Sequence, residues 1–199
     1  MKDAKINFIV DAATKVFLEK SINEATIKDV AEEAGVGEAT IYRYFVRKQA
    51  LVERVARKLQ KKVFDEYFDL KKAENGFEKL GVFYNSYLKI FTDHPEFYKF
   101  INEFDAFCVS ENISDLEKYS DGLDVFKDAF MSAYDKGLSD GSVKDIGDVK
   151  TFYYSTAHAL LALCKKLAGE GNIVRQDGAT DKAEEIKTLV SIVLNALKA

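Results

Sequence analysis

Apolar positions recur at helical spacing through nearly the whole chain, with no sustained alternation of the kind a strand needs. Ile9, Ala12, Ala13, Val16 and Phe17 share one face and predict a first helix over Lys5–Glu19. Thr26-Ile27-Lys28-Asp29 has the form of a capping box, with a hydroxyl to accept a free amide and an acid three residues on. It predicts a short helix that reaches Ala34 and stops at Gly35, where a left-handed residue costs little. A third helix is expected over Glu38–Tyr44. A fourth begins at Lys48 and runs through Leu51, Val55, Leu59, Val63 and Phe68 to Ala73. Asn75-Gly76 interrupts the pattern, and Pro95 suits the first turn of a helix. Further helices are expected over 77–93, 95–109, 116–136, 149–168 and 181–198, with a loop at 137–147. The expected fold is all-α, without internal repeats.

Composition narrows the class. A chain of 199 residues, 47% hydrophobic and 31% charged, can bury a core, and its single proline argues against a linker or disordered chain. No stretch approaches the ~20 apolar residues of a membrane span. The opening Met1-Lys2-Asp3-Ala4-Lys5 lacks an apolar signal core, and Cys108 and Cys164 are too few for a disulfide scaffold. A reduced, cytoplasmic protein with no membrane partner is expected. The net charge of −4 is unevenly spread, for residues 1–62 hold 13 Lys/Arg against 9 Asp/Glu. Only the N-terminal part is suited to meet a polyanion.

Residues 26–45 carry the functional signal. Two short helices joined by Ala34-Gly35-Val36-Gly37 match a helix-turn-helix, with Ala31 small enough for close helix approach. Ile27, Val30, Val36, Ile41 and Phe45 can pack inward, which turns Thr40, Arg43 and Tyr44 outward and leaves Glu38 and Ala39 at the leading end. In such a unit the second helix enters the major groove by its N-terminal residues. A plain helical hairpin has the same periodicity.

The order and spacing of Ile9, Ala12-Ala13, Val16-Phe17, Thr26, Ile27, Asp29-Val30-Ala31, Ala34-Gly35-Val36, Thr40-Ile41-Tyr42, Tyr44-Phe45, Lys48 and Leu51 go further. Ile9–Leu51 resembles the DNA-binding domain of the TetR/AcrR family of bacterial transcriptional regulators. The resemblance implies an N-terminal three-helix DNA-binding domain over 1–47. It also implies a larger helical effector-binding and dimerisation domain over 48–199. It implies that Thr26, Tyr42 and Lys48 contact phosphates, with Lys28 adding a further contact. Glu38, Ala39, Thr40, Arg43 and Tyr44 occupy the base-facing positions, where Arg43 could pair with guanine and Glu38 accept from cytosine. A solvated arginine and a dipole-favoured acid at a helix start are the alternatives. Gly37 stands where a serine cap is common and lets the backbone approach a phosphate. Arg47 replaces a small polar cap, and Ser21-Ile22 replaces the glycine of the first turn.

Aromatic residues concentrate after residue 62. Phe64, Phe68, Tyr87, Phe91, Phe104, Phe107, Phe126 and Phe130 are candidates for an effector cavity, with Cys108, Tyr154 and His158 beside them. Core packing is the alternative for each. The shortage of obvious buried charge favours a small, largely apolar effector. Leu160, Leu163 and Leu167 with Ile186, Leu189, Val190, Val193 and Leu197 form apolar stripes too broad for one face. The resemblance makes these a homodimer interface; burial within one subunit is the alternative.

No catalytic constellation is found. His94 and His158 are the only imidazoles, and no nucleophile elbow, phosphate-binding loop, calcium spacing or metal set appears. No cofactor, metal or catalytic residue is expected. The expected function is a ligand-responsive repressor that a small apolar effector releases from a palindromic double-stranded operator. A helical protein-interaction module without specific DNA binding, or a helical enzyme, are the other classes the pattern admits.

Overall fold

In the computed structural model, which describes residues 2–169 and 174–199, the all-helical expectation holds. Among the described residues the elements are α1 (Lys2–Glu19), α2 (Ile27–Glu33), α3 (Glu38–Tyr44), α4 (Lys48–Tyr67), α5 (Gly76–Asp93), α6 (Pro95–Ser110), α7 (Glu117–Asp140), α8 (Val149–Ala168) and α9 (Lys182–Leu197). Two 3-10 turns, Leu70–Lys72 and Arg175–Gly178, complete them. The one strand-like feature among these residues is an isolated bridge between Val143 and Lys198.

The first helix begins three residues early, at Lys2, and two helix ends differ by more than that. The fourth helix stops at Tyr67 rather than Ala73. Beyond it the Asp69 carboxylate accepts the Lys71 amide at 3.1 Å and opens a 3-10 turn instead, a local bond that competes with helix continuation. The seventh helix continues past Lys136 to Asp140, because Gly137 is buried against Val143 and does not break it.

The chain divides into two compact units. The first comprises the stretch up to Lys61 together with Phe100–Gly122, and the second Lys62–Lys99 with Leu123–Ala199. The unit boundaries therefore fall inside α4, α6 and α7, and the first unit takes in more chain than the three N-terminal helices. Its core is built on Ile9, Ala13, Phe17, Ile22, Val30, Ile41, Leu51 and Val55. A segment of α6 belongs to it, for the carboxylate of Glu103 accepts the amide of the fully buried Ile22 at 2.8 Å.

In the second unit α5 packs against both α8 and α9, which also pack on each other. Side-chain caps fix where these helices begin. Asn75 accepts the Glu78 amide, Asp148 the Thr151 amide and Asp181 the Glu184 amide, each satisfying a free donor of a first turn. The core joins Phe68, Phe83, Tyr84, Phe130 and Tyr153 to the apolar stripes of α8 and α9. Leu160, Leu167, Ile186, Val190, Val193 and Leu197 are thus buried inside a single chain, and only Leu163 and Leu189 of the expected dimer stripe stay partly exposed. The stripes are broad because α5, α8 and α9 each bury a face against two neighbours. The outward faces of the two helices carry Tyr154, His158, Ala162, Ile192 and Ala196 instead.

Candidate functional site

The local geometry of the helix-turn-helix follows from its sequence. Asp29 accepts both the Thr26 amide and the Thr26 hydroxyl at 2.7 Å, and its own amide donates back to the hydroxyl oxygen at 3.1 Å. The box is pinned further by Lys20, whose ammonium lies 2.7 Å from Asp29. Ion pair and hydrogen bonds together hold the Asp29 carboxyl well below its ordinary range. At the other end of α2, Gly35 has φ +60, donates to the Glu32 carbonyl at 3.1 Å, and lets Val36 donate to the Ala31 carbonyl at 3.0 Å. These two bonds make a Schellman motif, whose left-handed residue tolerates no β-carbon without strain. The motif fixes the exit of the chain toward α3.

On α3, Ile41 is fully buried while Glu38, Ala39, Tyr42 and Arg43 are exposed and Thr40 and Tyr44 half-buried. One turn of helix thus seats a single apolar residue and presents a polar and aromatic surface outward. The Arg43 guanidinium carbon lies 5.2 Å from the Tyr44 ring centroid. Gly37 caps α3 without a side-chain bond, and among the described residues nothing beyond its chain neighbours lies within 4 Å of where its β-carbon would stand. Lys28 is exposed beside Glu32 at 3.8 Å. Lys48 is half-buried with its ammonium 5.9 Å from the Phe107 ring centroid, and burial pulls its pKa down.

Two expected phosphate contacts are therefore engaged within the chain. The Thr26 amide and hydroxyl are both committed to Asp29, because the capping box uses the groups a phosphate would need. Lys48 packs back toward α6. Glu38, Ala39, Tyr42 and Arg43 lie exposed together on α3.

The candidate effector residues fall into three groups. Phe64, Phe68, Phe126 and Phe130 lie in the second unit, where the Phe126 ring stands 4.9 Å from both Phe64 and Phe68. Tyr87 packs against Phe68 and Phe83 there, and Phe91 against Tyr98. Phe104, Phe107 and Cys108 belong to the first unit, where Phe104 meets Tyr119 at 5.0 Å. Tyr154 and His158 are exposed, their rings 5.7 Å apart on the surface of α8. The inner face of that helix is Tyr153, Ala157, Leu160, Cys164 and Leu167, which turns positions 154 and 158 outward.

A cleft of about 500 Å³ opens in the second unit, a volume suited to a small organic molecule. Phe64, Phe68 and Leu70 supply apolar wall, and Ala129 and Ala133 of α7 form its floor. Lys71, Lys79 and Lys136 also line it, with Asp69 and Ser132. The sequence reading missed these lysines. They come from a 3-10 turn, α5 and α7, and no spacing along the chain relates them.

Two short helices joined by a tight turn, the second with its polar face outward, have the arrangement of a helix-turn-helix DNA-binding motif. Residues 9–55 match the model of the bacterial regulatory proteins of the tetR family. The transcriptional repressor KstR2 of Rhodococcus jostii (strain RHA1) is 22% identical over 153 residues, 75% of this chain and 72% of its own. The regulator YvkB of Bacillus subtilis (strain 168) is 49% identical over 45 residues, 23% of this chain and 24% of its own. In fold, a TetR transcription regulator from Haloarcula marismortui superposes with a TM-score of 0.80 at 15% identity, over 99% of this chain and 100% of that one. The N-terminal segment therefore matches that of the tetR-family regulatory proteins, and the chain as a whole shares the fold of the solved TetR-family regulators. Among the described residues, no helix is long and apolar enough to cross a membrane.

Proposed function

We propose that the protein is a homodimeric repressor that binds a roughly palindromic operator and is released when a small molecule occupies the C-terminal part. The observation that carries the reading is the exposed face of α3 (Glu38, Ala39, Tyr42 and Arg43) in a segment that matches the tetR-family model. The sense of regulation is supported by KstR2, whose name is that of a repressor. The functional division follows the expectation from sequence, with 1–47 meeting DNA and 48–199 serving effector and partner. A two-fold dimer would place its recognition helices about one DNA turn (~34–36 Å) or multiples of it apart. The outward faces of α8 and α9, where Ile192 is 61% exposed beside Ala196, supply the apolar surface such a dimer needs.

Release requires little energy. A ligand that favours the non-binding state by about 1.4 kcal/mol lowers operator affinity tenfold. α4 is suited to report occupancy, since it starts at Lys48 and carries Phe64, a wall of the cleft. The protein would act in the cytoplasm, where operator DNA lies.

The test is a titration of purified protein against the DNA upstream of its own gene at two salt concentrations, with scrambled DNA as control. Preferential, salt-sensitive binding of two subunits is the expected result. Tyr42→Phe and Lys48→Ala should weaken binding to all sequences, and Lys48→Ala, which removes one contact from each subunit, should lower the salt slope of the dimer by about 1.8. Arg43→Ala should relax preference at one base position by about 1–3 kcal/mol. No binding to either DNA at low salt would overturn the reading.

A further inference from the structure

We propose that the cleft of the C-terminal unit takes an amphipathic organic anion, with an apolar body against the phenylalanines and a carboxylate or phosphate held by lysines. The inference rests on the regulator reading only for what the ligand does, not for whether it binds. It keeps the apolar effector expected from sequence and adds a charged end.

The composition of the wall carries the argument. Three lysines, Lys71, Lys79 and Lys136, line the cleft against one acidic residue, Asp69. That carboxylate is already occupied, since it accepts the Lys71 backbone amide at 3.1 Å and caps the 3-10 turn. The Lys79 ammonium donates to the Leu70 carbonyl at 2.8 Å, which fixes it at the cleft and leaves two of its three N–H groups for a ligand. Lys136 has a loose partner, the Asp140 carboxylate 3.6 Å away. Asp140 does not depend on it. The same carboxylate accepts the Gly76 amide at 2.9 Å and the Ser142 amide at 3.0 Å, so it stays satisfied if Lys136 turns to a ligand.

Three like charges along one cleft wall make a field that attracts an anion, and the aromatic surface beside them suits an apolar body. A neutral apolar molecule would cover the rings and leave the ammoniums facing hydrocarbon. An inorganic anion would answer the charge and leave Phe64 and Leu70 wet. A molecule with both parts satisfies the whole wall, and because lysine is a point charge without a fork, the site accepts a carboxylate or a phosphate head.

The experiment is calorimetric titration of the full-length protein with decanoate, decyl phosphate, decanol and inorganic phosphate, each below its aggregation threshold. The two amphipathic anions are expected to bind about tenfold more tightly than decanol, a difference of about 1.4 kcal/mol. Both should also bind more tightly than inorganic phosphate, and their ranking distinguishes a carboxylate from a phosphate ligand. Lys71→Gln with Lys136→Gln changes two exposed side chains and is expected to leave thermal unfolding intact. The double variant should bring the anions down to the affinity of decanol, which itself stays unchanged.

Equal affinity for decanol and decanoate would overturn the proposal. So would equal affinity for inorganic and decyl phosphate, anion binding untouched by the double variant, or no anion binding at millimolar concentration. The regulator reading fails separately. A protein that holds its operator but ignores these anions sinks only the ligand class, and one that binds decanoate but no DNA sinks only the regulator.

Discussion

Gly76 opens α5 on the backbone of α7, and the closeness of that crossing can be tested by adding one methyl group. A β-carbon at position 76 would lie 2.0 Å from the Gly137 amide nitrogen, 2.1 Å from its α-carbon and 2.7 Å from the Ala133 carbonyl oxygen. Comfortable contact is ~3.5–4.0 Å, so Gly76→Ala forces the two helices about 1.5 Å apart. Overpacking of this kind costs about 1–3 kcal/mol. The shift also weakens the bond from the Gly76 amide to the Asp140 carboxylate, now 2.9 Å, and a bond to a charged group contributes about 1.5–3 kcal/mol. Alanine's advantage over glycine in a helix returns at most about 1 kcal/mol. The net loss is about 2–5 kcal/mol. With an unfolding entropy of ~2.1 cal/mol/K per residue over 199 residues, Tm should fall by about 5–12 °C. The control is Gly81→Ala in the middle of the same helix, where, among the described residues, nothing beyond the helix's own backbone lies within 4 Å of the new carbon. That variant should gain about 0.5–1 kcal/mol, raising Tm by about 1–2 °C. Thermal unfolding followed by circular dichroism reads both. A Gly76→Ala protein that melts within ~2 °C of wild type, beside a Gly81→Ala protein that behaves as stated, would refute the argument. The crossing also matters for the cleft, because Lys79 follows Gly76 by one turn and Lys136 immediately precedes Gly137.

Two other perturbations address the first unit. Glu103→Ala leaves the buried Ile22 amide without an acceptor, at a cost of about 1–3 kcal/mol in thermal unfolding, whereas Glu103→Gln keeps an acceptor and most of the stability. Equal losses in the two variants would mean that the bond contributes little. The second concerns acid. Lys20, then the Thr26 hydroxyl and amide, hold the folded pKa of Asp29 below its ordinary 3.8, so the stability it contributes is fully present above about pH 5 and fades as pH falls below that. Asp29→Asn should therefore be less stable than wild type at neutral pH, with the gap beginning to narrow below about pH 4 and closing only once the pH falls through the depressed folded pKa. A gap in Tm that stays constant with pH would show that the carboxylate's charge is not what stabilises the box.

Much of the head was legible because its determinants are local. A capping box spans four residues and a Schellman glycine five, so Thr26, Asp29 and Gly35 announce the ends of α2 within one turn of where they act. Burial alternates at helical spacing along α3, which is enough to separate Ile41 from Tyr42 and Arg43. What those groups bond to was less legible. Asp29 occupies the very Thr26 atoms expected to meet a phosphate, and Lys48 lies over Phe107, which stands 59 positions further along the chain.

In the body the sequence by itself determined that helices form, where most begin, and that their apolar faces are broad. It did not determine what covers those faces. Leu160, Val190 and Leu197 carry the same pattern whether they meet a second subunit or α5 of their own, and only the packing of α5, α8 and α9 decided for their own chain. The cleft lysines make the same point from the polar side. Lys71, Lys79 and Lys136 sit on three elements brought together by the contact of Gly76 with Gly137. Periodicity reports which face of a helix is apolar because that is set within two turns of chain. The identity of the neighbour is set by which faces meet across tens of residues, and it is settled only when the helices pack.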